Sequence, residues 1–392
     1  MNGLTELRVK NYRCLADVAL DIRPVNVVFG PNGAGKSTLL DTLYFFRDCA
    51  IRGVVDASSN RSHGIGILWD GADDDARISL AVATDNVDYS LTFGLSSGRI
   101  EPFPGEVLRS KSADRMLINR KVGTDQVSLY HTNIDQHVSI PLREPDKLSM
   151  GLFLDFNRGD DEAGYLDRVM HFVRLYHARS FFLYRLKRDG SESSHETRLR
   201  DRGDNAWSVL RNLHDKKSVD DRYETVMSYM RESFPTFEGI VLEQTGPNSV
   251  YASFRERGHR KEILASGVSD GHLQMLLLLT ALFSEGDRDA VLLLDEPEIS
   301  LHPWALAVLA KAIKAAAESW RKQVLVATHS PVLISQFEPE EILVAETDEA
   351  RTRLTRLSQI DEVKDLLDEY APGSLYMAEE VGAQGPQAAR SS

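Results

Sequence analysis

Gly30-Pro31-Asn32-Gly33-Ala34-Gly35-Lys36-Ser37 is the stretch on which the reading of this sequence turns. Its spacing is G-x-x-x-x-G-K-[ST]. The apolar run Val25 to Phe29 leads into it, as a central buried strand does. Ser37 to Arg47 follows, with leucines and aromatics at helical spacing. A strand, this loop and a helix in that order form a phosphate cradle. Glycines at 30, 33 and 35 let backbone N–H groups converge without side chains in the way, and the helix turns its positive end to the anion. The expected ligand is ATP. Gly30, Asn32, Gly33, Ala34, Gly35, Lys36, Ser37 and Thr38 are the residues expected to bind it, with Lys36 on the β- and γ-phosphates and Ser37 on Mg²⁺.

A second apolar run, Ala290 to Leu294, ends in Asp295-Glu296-Pro297. The C-terminal end of a buried strand is where α/β sheets place ligands. Asp295 is expected to hold Mg²⁺ through water, as a Walker-B aspartate does, and Glu296 to polarise the attacking water. Neighbouring side chains on a strand point to opposite faces. The two carboxylates therefore share a site only if Glu296 has left the strand, which Pro297 favours. Together these predict an ATPase that yields ADP and phosphate.

Outward from these two points, the sequence predicts strands at Leu4 to Val9 and Val18 to Ile22, then short strands among Gly, Ser, Asp and Asn clusters, such as Arg77 to Ala83 and Tyr89 to Phe93. The pattern turns helical over Tyr165 to Tyr176, Ala206 to Leu213 and Asp221 to Phe234. Arg185 to Asp204 is polar and glycine-punctuated and reads as a mobile loop. Strands follow at Gly239 to Glu243 and Ser249 to Phe254. Then come a helix (Asp270 to Phe283), the Ala290 strand, a helix (Pro303 to Trp320), a strand (Gln323 to Ala327) and a short helix after Pro331. That rhythm implies a parallel sheet with helical crossovers.

The expected fold is α/β: a P-loop head with a mixed or parallel central sheet, a β-rich N-terminal lobe and an inserted helical lobe. By segment, 1–50 and 235–370 make the head, 51–160 the β-rich insertion, 161–234 the helical insertion and 371–392 a disordered tail.

Further motifs then carry a resemblance. Val268-Ser269-Asp270-Gly271 precedes a long helix, Ser300-Leu301-His302-Pro303 follows the acidic pair, and Val326-Ala327-Thr328-His329-Ser330 ends the next strand. The start, Leu7-Arg8-Val9-Lys10-Asn11-Tyr12-Arg13, resembles the "I-x-N-F-R" opening of RecF- and SMC-like ATPases. In order and spacing the chain is similar to the compact ABC ATPases of the RecF, SMC and OLD type. The resemblance covers residues 1–50 and about 235–345.

It implies two heads that trap ATP between them as a homodimer or higher homo-oligomer. Ser269, Asp270 and Gly271 of one copy serve as the signature facing the γ-phosphate held by Lys36 of the other. His329 is the γ-phosphate sensor, Ser300 and His302 belong to the D-loop linking the two sites, and Arg13 joins the nucleotide contacts. Asp270 and His272 depart from the usual signature, which has a second glycine and a glutamine or arginine there. No Q-loop glutamine stands out; Gln126 and Gln136 lie in the region without supporting context. Read singly, His302 also suits a helix start before Pro303, and Arg13 a surface ion pair.

The chain has 392 residues, 42% hydrophobic and 27% charged, with two cysteines, Cys14 and Cys49. Two cysteines without a CxxC make no disulfide framework, so a cytoplasmic setting is expected. The apolar run Leu273 to Phe283 falls short of the ~20 residues of a membrane span and reads as a buried helix. The net charge of −13 opposes nucleic acid at long range, although Arg185, Lys187, Arg188 and Arg255, Arg257, Arg260, Lys261 form two basic clusters.

No sustained heptad arm is present, and too little sequence follows His329 for a Toprim domain. The leading expectation is an ATP-closed sensor or scaffold acting with a separately encoded effector, by analogy in anti-phage defence. The alternatives are a RecF-like DNA-repair ATPase and an ATP-binding module with little turnover.

Overall fold

The computed structural model describes residues 3–61, 66–73, 75–96, 99–286, 289–367, 369–378 and 381. At its centre lies a six-stranded sheet. From edge to edge its strands are Val173–His177, Val291–Asp295, Gln323–Thr328, Val25–Phe29, Ile342–Asp348 and Arg351–Arg356. The first five run parallel, and the last pairs antiparallel as an edge.

Both faces of this sheet are covered, which is why Val291 to Leu294 and Val324 to Ala327 read as unbroken apolar runs. Alternate residues divide between two cores. Leu175, Leu293, Leu325 and Val28 pack on the side of the phosphate-loop helix Lys36–Arg52, whereas Tyr176, Leu292, Leu294, Val326 and Val27 pack on the other. The second core receives the helices Ala206–Asp215, Arg222–Ser233, Asp270–Ser284 and Pro303–Glu318. Each such side chain, fully buried, contributes about 1.5–3 kcal/mol, so the strand ends that carry the motifs are firmly anchored. In Asp270–Ser284 every residue from Leu273 onward is buried. Among the described residues no helix is long and apolar enough to cross a membrane.

A second, antiparallel sheet of eight strands lies over the first core. In order these are Gln136–Pro141, Gln126–His131, Arg115–Arg120, Gly105–Ser110, Val87–Phe93, Ile78–Ala83, Glu6–Tyr12 and Leu15–Asp21. The N-terminal hairpin and the β-rich region thus share one ladder, joined where Glu6–Lys10 pairs with Ser79–Ala83. A smaller sheet holds Phe237–Gly246 and Ser249–Glu256 beside the helical region.

Three local expectations need correction. The run Tyr165 to Tyr176 is not one helix: Asp161–His171 is helical, and Val173–His177 is an edge strand of the central sheet. A short apolar run has no decisive period of its own, and here its partner Val291–Asp295 decides. Arg185 to Asp204 is anchored rather than loose. Leu183–Arg188 is helical, Leu199 is buried with its N–H on Ser284 Oγ at 3.0 Å, and Asp201 accepts from the Tyr44 hydroxyl at 2.6 Å. The tail expected from 371 begins with a helix, Pro372–Met377, whose Tyr376 ring meets Phe29. Residues 379–380 and 382–392 of that expected tail lie outside the described residues.

Candidate nucleotide site

Parallel strands bring their C-terminal ends to one edge. Register pairs His177 with Asp295, Asp295 with Ala327, and Thr328 with Phe29. The phosphate loop, the acidic pair and His329 therefore leave the sheet side by side.

The loop is shaped by what lies behind it. Gly30 has φ 151°, and a Cβ there would strike the carbonyl of Ala345; Gly35 has φ 89°, and a Cβ there would strike the Thr352 hydroxyl. Only glycine fits either position. Ala34 is buried, while Asn32 and Gly33 are exposed at the rim and Thr38 is half-buried in the first helical turn. The Lys36 side chain folds over the loop, its Nζ donating to the carbonyls of Gly30 at 2.9 Å and Pro31 at 2.8 Å. Burial lowers its pKa to about 8, against the pull of Asp295, Glu296 and Glu298.

Ser37 Oγ donates to Asp295 Oδ1 at 3.0 Å. Two hard oxygens meet here, the donor set Mg²⁺ favours when phosphate and water complete its shell. The other oxygen of Asp295 bonds His177 Nδ1 at 2.8 Å, and that bond raises the His177 pKa. Glu296 has left the strand: its φ is 51°, and its N–H donates to Ala327 O at 2.8 Å. This turn sends its carboxylate to the side of Asp295. There Oε2 pairs with Arg179 Nε, and Oε1 lies 3.9 Å from His329 Nε2. Burial, aided by Lys36, lowers the His329 pKa. The His329 N–H donates to Glu298 Oε1 at 2.7 Å, and burial raises the Glu298 pKa.

So Gly30, Gly35, Lys36, Ser37, Asp295, Glu296 and His329 are brought together. Arg13 is held on the phosphate-loop helix, and its neighbour Cys14 lies against Gly35. Arg13 pairs with Asp41 at 3.2 Å, a carboxylate that also accepts from Tyr12 at 2.7 Å and Arg61 at 2.9 Å. The signature residues form a separate group. Ser269 caps its helix, with Oγ 2.7 Å from His272 Nδ1. Asp270 pairs with Lys187 at 2.5 Å, and Gly271 lies against the carbonyl of Ser300. His302 caps the helix Pro303–Glu318 by accepting from Trp304 N–H at 3.3 Å. Among the described residues, no hydrogen bond or ion pair joins 269–271 to the loop or the acidic pair.

Four residues at the site escaped sequence reading: His177, Arg179, Glu298 and Asp41. The DEPE run from Asp295 contains Glu298 and could have drawn notice. His177 and Arg179 follow the strand concealed inside a helical pattern. Gln126 and Gln136 stand on the outermost strands of the antiparallel sheet, away from this edge.

The profile of the family described as "AAA domain, putative AbiEii toxin, Type IV TA system" matches residues 25–335. The chain belongs to this family. It is a compact ABC-type ATPase of the RecF, SMC and OLD group. A curated relative, the OLD nuclease of Thermus scotoductus (strain ATCC 700910 / SA-01), is 22% identical over 362 residues, which is 88% of this chain. The chain spans 63% of that relative's length.

Among solved structures, the SmcHead bound to the C-winged helix domain of ScpA matches with a TM-score of 0.56 at 13% identity, covering 90% of this chain and 97% of that one. The Smc head domain with an extended coiled coil bound to the C-terminal domain of ScpA, derived from Pyrococcus furiosus, gives 0.51 at 12%, covering 94% and 99%. These likenesses show the fold.

Proposed function

We propose that this chain binds and hydrolyses ATP, and that a second copy completes each site. One observation carries the proposal: Ser37, Asp295 and Glu296 converge beside the buried Lys36, at the end of four neighbouring parallel strands. Lys36 and the loop N–H groups hold the phosphates. Ser37 and Asp295 are the residues to hold Mg²⁺, which supplies charge neutralisation on the phosphates when bound. Glu296 orients the attacking water, and His329, close to Glu296, contacts the terminal phosphate. Proton and charge movement then stay within a half-buried edge, where electrostatic contacts are stronger than in water.

The signature supports the shared site. Ser269 and Asp270 stand exposed at a helix start, where N–H groups suit an anion. We propose that Ser269 and Gly271 meet the γ-phosphate on the partner copy, with Ser300 and His302 beside them at the interface. The family description names a toxin system and the relative's name a nuclease. Both support coupling of the ATPase to a toxic or nucleolytic activity, and we propose that a partner effector supplies it, in the manner of anti-phage defence. Co-purification of the chain with the product of a neighbouring gene tests that role.

One observation favours a second reading, a binding module with little turnover: Arg179 holds the Glu296 carboxylate. The DNA reading draws less support, since Lys187, Arg188, Arg255 and Arg257 of the two basic clusters each face a carboxylate. Glu296→Gln decides between the first two. The variant is expected to keep ATP binding, lose turnover by at least about a hundredfold and accumulate a dimer on gel filtration. Turnover equal to that of the unaltered chain overturns the role of Glu296. Absence of turnover in the unaltered chain favours the module.

A further inference from the structure

We propose that Arg179 reads the γ-phosphate: it rests on Glu296 and transfers to the terminal phosphate of bound ATP, freeing the carboxylate in the same movement. The inference rests on the ATP reading above and adds a residue that no motif marks.

The backbone of Arg179 is fixed while its side chain is exposed. The strand Val173–His177 ends against Asp295, and the single turn Ala178–Ser180 carries the chain away from the sheet edge. Ala178 is buried, and its carbonyl accepts from Gln274 Nε2 at 3.0 Å, a side chain of the signature helix. Phe181 is buried on the other side. Between these anchors the Arg179 side chain is 73% exposed. It reaches back over the strand end to the one carboxylate that has left its strand.

Arg179 approaches Glu296 most closely through Nε, and its side chain stays exposed enough to take a second acceptor. A guanidinium gains most from a planar, two-point acceptor. The terminal phosphate carries more charge than a carboxylate and offers three oxygens. It is expected between Lys36 and His329, and Glu296, which carries Arg179 on Oε2, lies 3.9 Å from His329 Nε2 through Oε1. Arg179 therefore reaches the region where that phosphate lies. ADP lacks this group and leaves Arg179 on Glu296. The device ties release of the water-orienting carboxylate to the presence of a third phosphate. Through Ala178 and Gln274 it is also joined to the helix that bears Ser269.

The test compares a nonhydrolysable ATP analogue with ADP, both with Mg²⁺, by calorimetry on the full chain and on Arg179→Ala and Arg179→Lys. Arg179→Ala is expected to weaken the ATP analogue by about tenfold or more, the loss of one charge-assisted hydrogen bond. ADP affinity should stay within about twofold, and Arg179→Lys should recover part of the loss. Equal weakening of both nucleotides indicates a merely structural role and overturns the proposal, as does an unchanged ATP-analogue affinity. Failure of the unaltered chain to bind either nucleotide instead overturns the ATP reading itself, so the two failures are distinguishable.

Discussion

At the loop edge, Lys36, Ser37, Asp295, Glu296, Glu298 and His329 answer one another within the chain, at the ends of buried strands. At the signature edge, Ser269 and Asp270 stand on the surface and answer only near neighbours, His272 and Lys187. The first arrangement has charge, polarising carboxylate and metal-type donors in place. The second has an exposed helix start whose Asp270 is held by Lys187. On the proposed reading, the two halves of an ATP site coexist in one chain without meeting. That is the geometry expected if symmetry, rather than folding, joins them.

The sharpest break in the comparison comes from Lys36. Lys36→Ala should weaken ATP binding by about a hundredfold, because it removes the cation from the cradle. Fluorescence titration with an ATP analogue measures this. Unchanged affinity contradicts the phosphate-loop assignment.

Gly271→Val probes the other edge. Its side chain would press on the carbonyl of Ser300. Turnover should fall by about tenfold or more, while ATP affinity of the isolated chain stays close to normal. Parallel loss of affinity would mean that the two edges communicate within one chain.

A smaller effect is expected at His177, which holds the second oxygen of Asp295. His177→Ala should raise the Mg²⁺ concentration needed for half-maximal turnover by about tenfold, the lower end of the effect seen when an outer-shell partner of a metal ligand is lost. A turnover change without a shift in Mg²⁺ dependence would separate His177 from Asp295.

The smallest effect concerns pH. Burial lowers the His272 pKa below its ordinary value of 6.5. Protons then bind the unfolded chain more readily than the folded one as pH falls through 6.5. His272 thus contributes stability that is lost on acidification. Thermal unfolding at pH 7.5 and 5.5 should show the unaltered chain losing slightly more stability than His272→Gln. An equal loss in both contradicts the assignment.

Three strands of the loop edge were legible in the sequence because each is a mostly apolar run closed by a motif. Val25–Phe29 has the bounds expected, and Val291–Asp295 and Gln323–Thr328 lie within one residue of theirs. Val173–His177 was not legible. Five residues follow a helix without a glycine or proline break, and only the distant strand Val291–Asp295 makes them a strand. His177 and Arg179 were hidden with it, being 118 and 117 positions from the carboxylates they touch. The eight-stranded sheet was half legible. Its strands alternate visibly, yet nothing local states that Glu6–Tyr12 pairs with Ile78–Ala83. Non-local pairing is the information that periodicity lacks.

The shared site is tested most directly by complementation. Lys36→Ala retains a signature but no loop, and Ser269→Arg retains a loop but no usable signature. Each alone should be inactive. Mixed in equal amounts, half the dimers pair one of each and restore one of two sites, so turnover should recover to about a quarter of the unaltered value. A mixture as inactive as its components, or a Ser269→Arg variant fully active alone, would contradict the account.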